Sequence, residues 1–237
     1  MKALVCIPTY NEKENIEKII NIVLKQNEDI DILVIDDNSP DGTADIVRNI
    51  MKSSKRIIII ERPGKMGLGT AYVEGFKYAI ENNYDYVFEM DADFSHDPGD
   101  LNRFLKAIKN QDLIIGSRYS HGVSVVNWPI SRLLLSYFAN IYAKIVTGVP
   151  VDDLTGGFKC YRVEFLKKID LDSIKSDGYG FQIEIDVKIY RKGGRVKEIP
   201  IIFRDRIEGT SKMNNRIIWE AFWLVWRLRF LTIIKKI

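Results

Sequence analysis

The stretch Glu89-Met90-Asp91-Ala92-Asp93-Phe94-Ser95-His96 follows the apolar run Tyr84-Asp85-Tyr86-Val87-Phe88 and leads into a helix start at His96-Asp97-Pro98. The run reads as a buried strand that ends in two carboxylates spaced i, i+2. Strand ends of this kind are where α/β folds place their ligands. Hard carboxylate oxygens on a tight turn suit a divalent cation that carries phosphates. Solvated loop acids produce the same pattern, so the surrounding chain has to decide.

Upstream, strands and helices alternate. Ala3 to Ile7 is a short continuous apolar run, the mark of a central parallel strand. Pro8-Thr9-Tyr10-Asn11-Glu12 breaks it, and a helix is expected with Asn11 as its N-cap and Ile16, Ile19, Ile20, Val23 and Leu24 as its buried stripe. Asp31 to Ile35 is a second strand, closed by the polar loop Asp36-Asp37-Asn38-Ser39-Pro40-Asp41-Gly42-Thr43 before a helix over Ala44–Met51. Arg56 to Ile60 is a third. Gly67-Leu68-Gly69 then lies between strand and helix, as a phosphate loop would, but Tyr72 replaces the third glycine of a dinucleotide fingerprint. Downstream, Asp112 to Gly116 is another buried strand, ending in Gly116-Ser117-Arg118-Tyr119. Repeated β-α units predict an α/β fold with a mainly parallel sheet flanked by helices.

The pattern then changes. A helix is expected over 131–147, with Leu134, Phe138, Ile141 and Ile145 on an apolar face and Arg132, Ser136, Asn140 and Lys144 as a polar stripe at spacing four. Asp152 and Asp153 shape the loop before Thr155-Gly156-Gly157-Phe158. Lys159-Cys160-Tyr161 reads as a short strand, Phe181 to Arg191 as a helix and Arg195 to Phe203 as the last strand. The segment 213–237 closes the chain as a helix with three tryptophans among interspersed Arg and Lys, a pattern that fits a membrane interface better than a span. Residues 1–212 form the catalytic domain in this reading, with 131–147 as an inserted interfacial helix.

Composition narrows the function. The chain has 237 residues and a net charge of only +3, which gives no electrostatic footprint for nucleic acid. From Arg204 to Ile237 there are eight Lys/Arg against three Asp/Glu, a local excess of five. Cys6 and Cys160 lack metal-site spacing, and a reduced compartment is expected. The apolar run Ala3–Ile7 stops at Pro8, so no signal peptide is expected.

Acidic groups end three strands: Glu12, Asp36-Asp37 and Asp91-x-Asp93. In a doubly wound sheet these ends share one edge, and crowded carboxylates repel unless a cation or ligand sits among them. Asp41 and Asp97 are expected to cap helices instead. Arg118, Arg206 and Lys212, all on predicted loops, supply opposing charge suited to phosphate. No Walker lysine or kinase signature is present, so phosphoryl transfer from ATP is disfavoured.

Taken together, Ile7-Pro8-Thr9-Tyr10-Asn11-Glu12, Asp36-Asp37-Asn38-Ser39-Pro40-Asp41-Gly42-Thr43, Gly67-Leu68-Gly69-x-Ala71-Tyr72, Met90-Asp91-Ala92-Asp93, Gly116-Ser117-Arg118-Tyr119 and Arg206-x-x-Gly209-x-Ser211-Lys212 resemble the family-2 glycosyltransferases. Within that family they are most similar to the branch that mannosylates dolichyl and other polyprenyl phosphates. The resemblance implies a GT-A fold, a GDP-mannose donor, Mg²⁺ or Mn²⁺, a dolichyl or polyprenyl phosphate acceptor and inversion at the anomeric carbon. It also implies a peripheral place on the cytoplasmic face of a membrane, and leaves room for a membrane-spanning partner subunit. Carried over by position, Pro8, Tyr10, Glu12, Ile35 and Asp37 would hold the guanosine. Asp91, Ala92 and Asp93 would hold the sugar diphosphate and metal, with Asp93 the main ligand. Arg118 would lie near the donor, and Arg206 and Lys212 would bind phosphate. The family often has Leu-Gln-His after Asp-Ala-Asp, where this chain has Phe94-Ser95-His96; Ser95, water or His96 would then fill the metal position that Gln takes elsewhere. Two alternatives stand beside this reading: a polyprenyl-phosphate glucosyltransferase using UDP-glucose, and a non-catalytic, membrane-peripheral nucleotide-binding module.

Overall fold

A computed structural model describes residues 1–205 and 215–234. Strands β1 (Ala3–Thr9), β2 (Ile30–Asp36), β3 (Ile57–Glu61) and β4 (Tyr86–Glu89) alternate with helices α1 (Ile16–Leu24), α2 (Thr43–Met51) and α3 (Leu68–Glu81). Helix α4 (Leu101–Ala107), β5 (Leu113–Ser117), β6 (Val125–Val126) and α5 (Ile130–Thr147) come next. Then follow β7 (Lys159–Arg162), α6 (Val163–Leu166), α7 (Gly178–Arg191), β8 (Val196–Pro200), β9 (Phe203–Arg204) and α8 (Asn215–Ile233). The main sheet has the order β3-β2-β1-β4-β7-β5-β8. Every pairing in it is parallel except those of β7, which runs antiparallel to both β4 and β5. The mainly parallel α/β sheet expected from the β-α alternation is therefore present.

The reversal of β7 has a positional effect. Its first residue, Lys159, pairs with Glu89 at the end of β4 and with Ile115 near the end of β5. The loop that precedes β7 therefore lies at the same edge as the Asp-Ala-Asp turn. Two apolar layers cover the sheet, one built around α3, α6 and α7, the other around α1, α2 and α4. Burial on both faces explains why the strands read as unbroken apolar runs.

Several local expectations need correction. Asn11 does not cap α1: it sits at φ 63°, and the helix begins after Asn15. Asp97 caps as expected, accepting from the Gly99 amide at 2.8 Å. Asp41 accepts from the Thr43 amide at 3.0 Å at the entry to α2.

Helix α5 spans the expected residues but is seated with its polar stripe inward. Asn140 is 1% exposed, whereas Phe138 is 60% and Ile145 74% exposed. The stripe is spent on the protein: Asn140 Nδ2 donates to Thr155 Oγ1 at 3.0 Å, Thr155 N donates back to Asn140 Oδ1 at 3.2 Å, Tyr119 OH reaches Ser136 Oγ at 2.8 Å, and Arg132 pairs with Asp205 at 2.8 Å. Helix α8 packs beside α5, with Tyr142 stacked on Phe222 at 5.1 Å, and seats Val225 and Leu228 in the core. Its Trp219, Trp223, Trp226, Phe230 and Ile233 stay exposed. Together α5 and α8 present an apolar surface. Among the described residues, no helix is long and apolar enough to cross a membrane.

Candidate active site

A cleft of about 800 Å³ runs along the C-terminal ends of β1, β2, β4 and β5 and reaches the base of α8. At one end lie Pro8, Tyr10, Glu12 and Asp37, which the sequence assigned together, and Lys65, whose ammonium sits 4.5 Å from the centre of the Tyr10 ring. Asp91, Ala92 and Asp93 line the middle, and Arg118 the far end with Trp128 and Arg132. Arg206 and Lys212 lie outside the described residues.

Two assigned residues do not face the cleft. The Ile35 side chain is fully buried in the layer beneath α3 and does not line the cleft. Strand geometry explains this: alternate side chains on β2 point to opposite faces of a sheet covered on both sides. Ser95 is also turned away. Phe94 takes a left-handed φ of 60°, and Ser95 is 1% exposed. The chain reversal at Phe94 sends the neighbouring His96, not Ser95, to the cleft wall, which corrects Ser95 as a metal ligand.

His96 serves the turn itself. Its ring stacks on Phe158 at 5.0 Å and meets Phe203 edge-on at 5.6 Å. The Asp91 amide donates to His96 Nδ1 at 3.4 Å, and the Ser95 amide donates to Asp93 Oδ1 at 3.0 Å. Tyr72 OH donates to Asp91 Oδ1 at 3.4 Å. Burial and the nearby Asp91 push the Tyr72 phenol well up, so it stays a protonated donor. The two carboxylates thus enter the cleft from a turn fixed on several sides. Among the described residues no cluster of three or more metal-binding side chains occurs. Two carboxylates still fit a Mg²⁺-like ion that takes its remaining ligands from substrate phosphates and water.

The sequence reading missed Arg62. It is 6% exposed, and its Nε donates to Asp37 Oδ1 at 2.5 Å. Its other nitrogens reach Thr70 Oγ1 at 2.7 Å and the Gly67 carbonyl at 3.0 Å. Asp37 is therefore charge-paired and anchors the Met66 amide as well, at 3.2 Å. Arg62 lies just past β3, at the edge the acidic strand ends share, and that position was its one available signal.

The glycine loop is not a phosphate cradle. Asp177 Oδ1 accepts from the Gly69 amide at 2.7 Å, so the chain's own carboxylate occupies the N-terminus of α3. Gly67 has φ 98°, and a Cβ on it would meet that carboxylate at 2.6 Å. These glycines serve the approach of Asp177.

Arg118 is bound tightly in the wall. Its Nε and amide donate to Asp153 Oδ2 at 2.7 and 2.9 Å, and a terminal nitrogen reaches Thr155 Oγ1 at 2.8 Å. Burial opposes the Asp153 charge, but Arg118 outweighs it and holds the carboxyl below the usual range. Asp153 itself is held by its amide, which donates to Glu198 Oε1 at 3.0 Å. Arg118 is thus a rigid wall of the cleft. Beside it, the Arg132 guanidinium lies 4.2 Å from the centre of the Trp128 ring. Among the described residues, Arg132 Nε and Trp128 Nε1 are buried donors without an acceptor. Buried N–H groups are rarely left so, and these two mark this end of the cleft for an acceptor-rich ligand.

Residues 4–170 match the model of glycosyl transferase family 2. The chain is 42% identical over 221 residues to an undecaprenyl-phosphate mannosyltransferase of Micrococcus luteus, covering 93% of this chain and 91% of that protein. It is 43% identical over 232 residues to a polyprenol monophosphomannose synthase of Mycolicibacterium smegmatis, covering 96% and 88%. Glucosyl-3-phosphoglycerate synthase of Mycobacterium tuberculosis, solved with uridine diphosphate, shares the fold at TM-score 0.69 and 15% identity, over 97% of this chain and 80% of that one. A mannosyltransferase of Pyrobaculum calidifontis, solved with GDP-Man and Mn²⁺, does so at TM-score 0.60 and 16% identity, over 98% and 73%. The sheet order, the carboxylate turn at its edge and these matches agree: the chain is a member of glycosyl transferase family 2, with a GT-A-like fold.

Proposed function

We propose that the protein transfers mannose from GDP-mannose to a polyprenyl phosphate such as dolichyl phosphate, with inversion. The observation that carries this reading is the pair of acceptor-seeking donors, Arg132 Nε and Trp128 Nε1, in the cleft wall where α5 turns its apolar side outward. A phosphate lodged there has a lipid-compatible surface for its tail. The names of the relatives from Micrococcus luteus and Mycolicibacterium smegmatis support the same substrates.

The nucleoside lies at the Tyr10, Glu12 and Asp37 end, and the diphosphate beside Asp91 and Asp93. These two residues would hold a divalent cation, Mg²⁺ or Mn²⁺, which when bound neutralises the leaving diphosphate. The acceptor phosphate is an anion at neutral pH and needs no general base to attack. The protein's part is to hold it in line behind the anomeric carbon. Arg118, fixed by Asp153, and Arg132, fixed by Asp205, supply rigid positive charge for that purpose. In-line attack gives a β-linked product. The apolar surface of α5 and α8 would rest on a membrane, with the protein peripheral to it on the cytoplasmic face.

The test is transfer of labelled mannose from GDP-mannose to a short polyprenyl phosphate, with and without a chelator. Product that needs both lipid phosphate and metal supports the reading. Transfer only from UDP-glucose would replace it with the glucosyl alternative, and binding of GDP-mannose without turnover would replace it with a binding module.

A further inference from the structure

Gln182 stands near the start of α7, is 3% exposed and lines the cleft. Its Nε2 donates to Glu89 Oε2 at 2.7 Å, and the other Glu89 oxygen accepts from Tyr161 OH at 2.6 Å. Tyr161 OH and the Gln182 nitrogen thus both point at Glu89, with the Gln182 oxygen turned away from it. The backbone is held too. Its carbonyl accepts from Lys159 Nζ at 3.1 Å, and that ammonium is itself ion-paired with Asp186 at 2.8 Å. Clamped at both ends, the side chain has no freedom to satisfy its remaining atom. Among the described residues, Gln182 Oε1 is buried with no donor. An acceptor left this way calls for a partner from outside the chain.

The place of Gln182 identifies that partner. A Cβ on Gly157 would meet Asp91 Oδ2 and Gln182 Nε2, both at 3.9 Å, so the two side chains flank the same spot of cleft wall. Glu89 ends β4, and Tyr161 and Lys159 lie on β7, the next strand of the sheet. Gln182 is therefore a step beyond Asp91, away from Tyr10 and Asp37 and toward Arg118. A donor laid along the cleft has its hexose there, between diphosphate and acceptor. The hexose offers hydroxyl groups and no charge. We propose that Gln182 Oε1 accepts a hydrogen bond from one hydroxyl of the transferred hexose and selects the sugar by it.

This inference rests on the glycosyl-transfer reading. An amide suits the position chemically. A carboxylate there would also accept from the hydroxyl, but it could take a proton from water and promote donor hydrolysis. The amide oxygen grips the sugar without activating water, as fits a reaction whose nucleophile is already an anion.

The experiment compares GDP-mannose with its 2-, 3-, 4- and 6-deoxy analogues in the full-length protein and in Gln182→Met, with polyprenyl phosphate as acceptor. The wild type is expected to lose about tenfold to a hundredfold in kcat/KM with one of the deoxy donors. Gln182→Met is expected to treat that donor and the parent alike, with affinity for GDP itself unchanged. Gln182→Asn, which keeps the amide but falls short by a methylene, is expected to lose the same discrimination and serves if the Met variant does not fold. An active wild type whose deoxy penalties all persist in the folded variants overturns this inference alone. A wild type that transfers no mannose overturns the mannosyl reading and the inference together.

Discussion

Replacing Asn140 by leucine makes α5 look better as an amphipathic helix and should damage the protein. Asn140 is 1% exposed and makes two hydrogen bonds with Thr155, donating to its hydroxyl at 3.0 Å and accepting from its amide at 3.2 Å. Leucine removes both and leaves the part-buried Thr155 amide without that acceptor. Each buried group stranded in this way costs about 1–3 kcal/mol, and misfit of the branched side chain adds to it. A total of about 2–5 kcal/mol, at about 2–4 °C per kcal/mol for a chain of this size, lowers the melting temperature by roughly 5–15 °C. Phe138 lies two residues away and is 60% exposed. Phe138→Ser removes a large apolar side chain but should change stability by no more than about 0.5 kcal/mol. Thermal unfolding of the two variants, followed by circular dichroism with a urea titration alongside, separates the cases. A stable Asn140→Leu together with a destabilised Phe138→Ser would mean that α5 is seated the other way round.

Three further outcomes follow from the same geometry. The triple variant Ile130→Ser/Phe138→Ser/Ile145→Ser removes side chains that are 75%, 60% and 74% exposed; at about 1.5–3 kcal/mol for a fully transferred side chain it should weaken liposome binding at least about a hundredfold in a flotation assay, and unchanged flotation would refute the membrane role. Asp93→Asn should lower mannose transfer by about a hundredfold or more at saturating metal while melting near the wild-type temperature; near-normal turnover would remove Asp93 from the reaction. Asp153→Asn leaves Arg118 buried without its counter-charge and should cost about 3–5 kcal/mol. Because the Asp153 carboxyl is held below its unfolded value of about 4, its contribution is full above that pH and is lost as pH falls through the lower folded value. The stability gap between Asp153→Asn and wild type should therefore narrow on acidification, and a gap that stays constant down to about pH 2 would contradict the pairing.

The parts legible in the sequence were those set by local pattern. Continuous apolar runs gave the parallel strands because the sheet is covered on both faces, and the strand ends brought Glu12, Asp37, Asp91 and Asp93 to one edge. What remained hidden depends on distance or direction. The periodicity of α5 shows two faces but not which one meets the protein; only partners far along the chain, Thr155 and Asp205, turn the polar face inward. The glycine loop looked open to phosphate because Asp177, which fills it, lies 108 residues away. Ile35 and Ser95 were misplaced by one residue of backbone direction, a strand face in one case and a left-handed turn in the other. Arg62 and Gln182 lacked any motif, and their roles arise from Asp37 and Glu89, contributed by other strands.

The inward polar face of α5 also bears on what the enzyme can sense of its lipid. The helix spends Asn140, Ser136 and Arg132 on the protein, so its outer side is largely hydrocarbon, with Ser131 and Tyr137 as its exposed hydroxyl groups. In the proposed reaction the grip on the acceptor, among the described residues, is at Arg118, Trp128 and Arg132, next to the phosphate. A protein built this way reads a headgroup and ignores the tail behind it. Polyprenyl phosphates of different length and saturation should then be turned over at rates set by how each distributes into the bilayer.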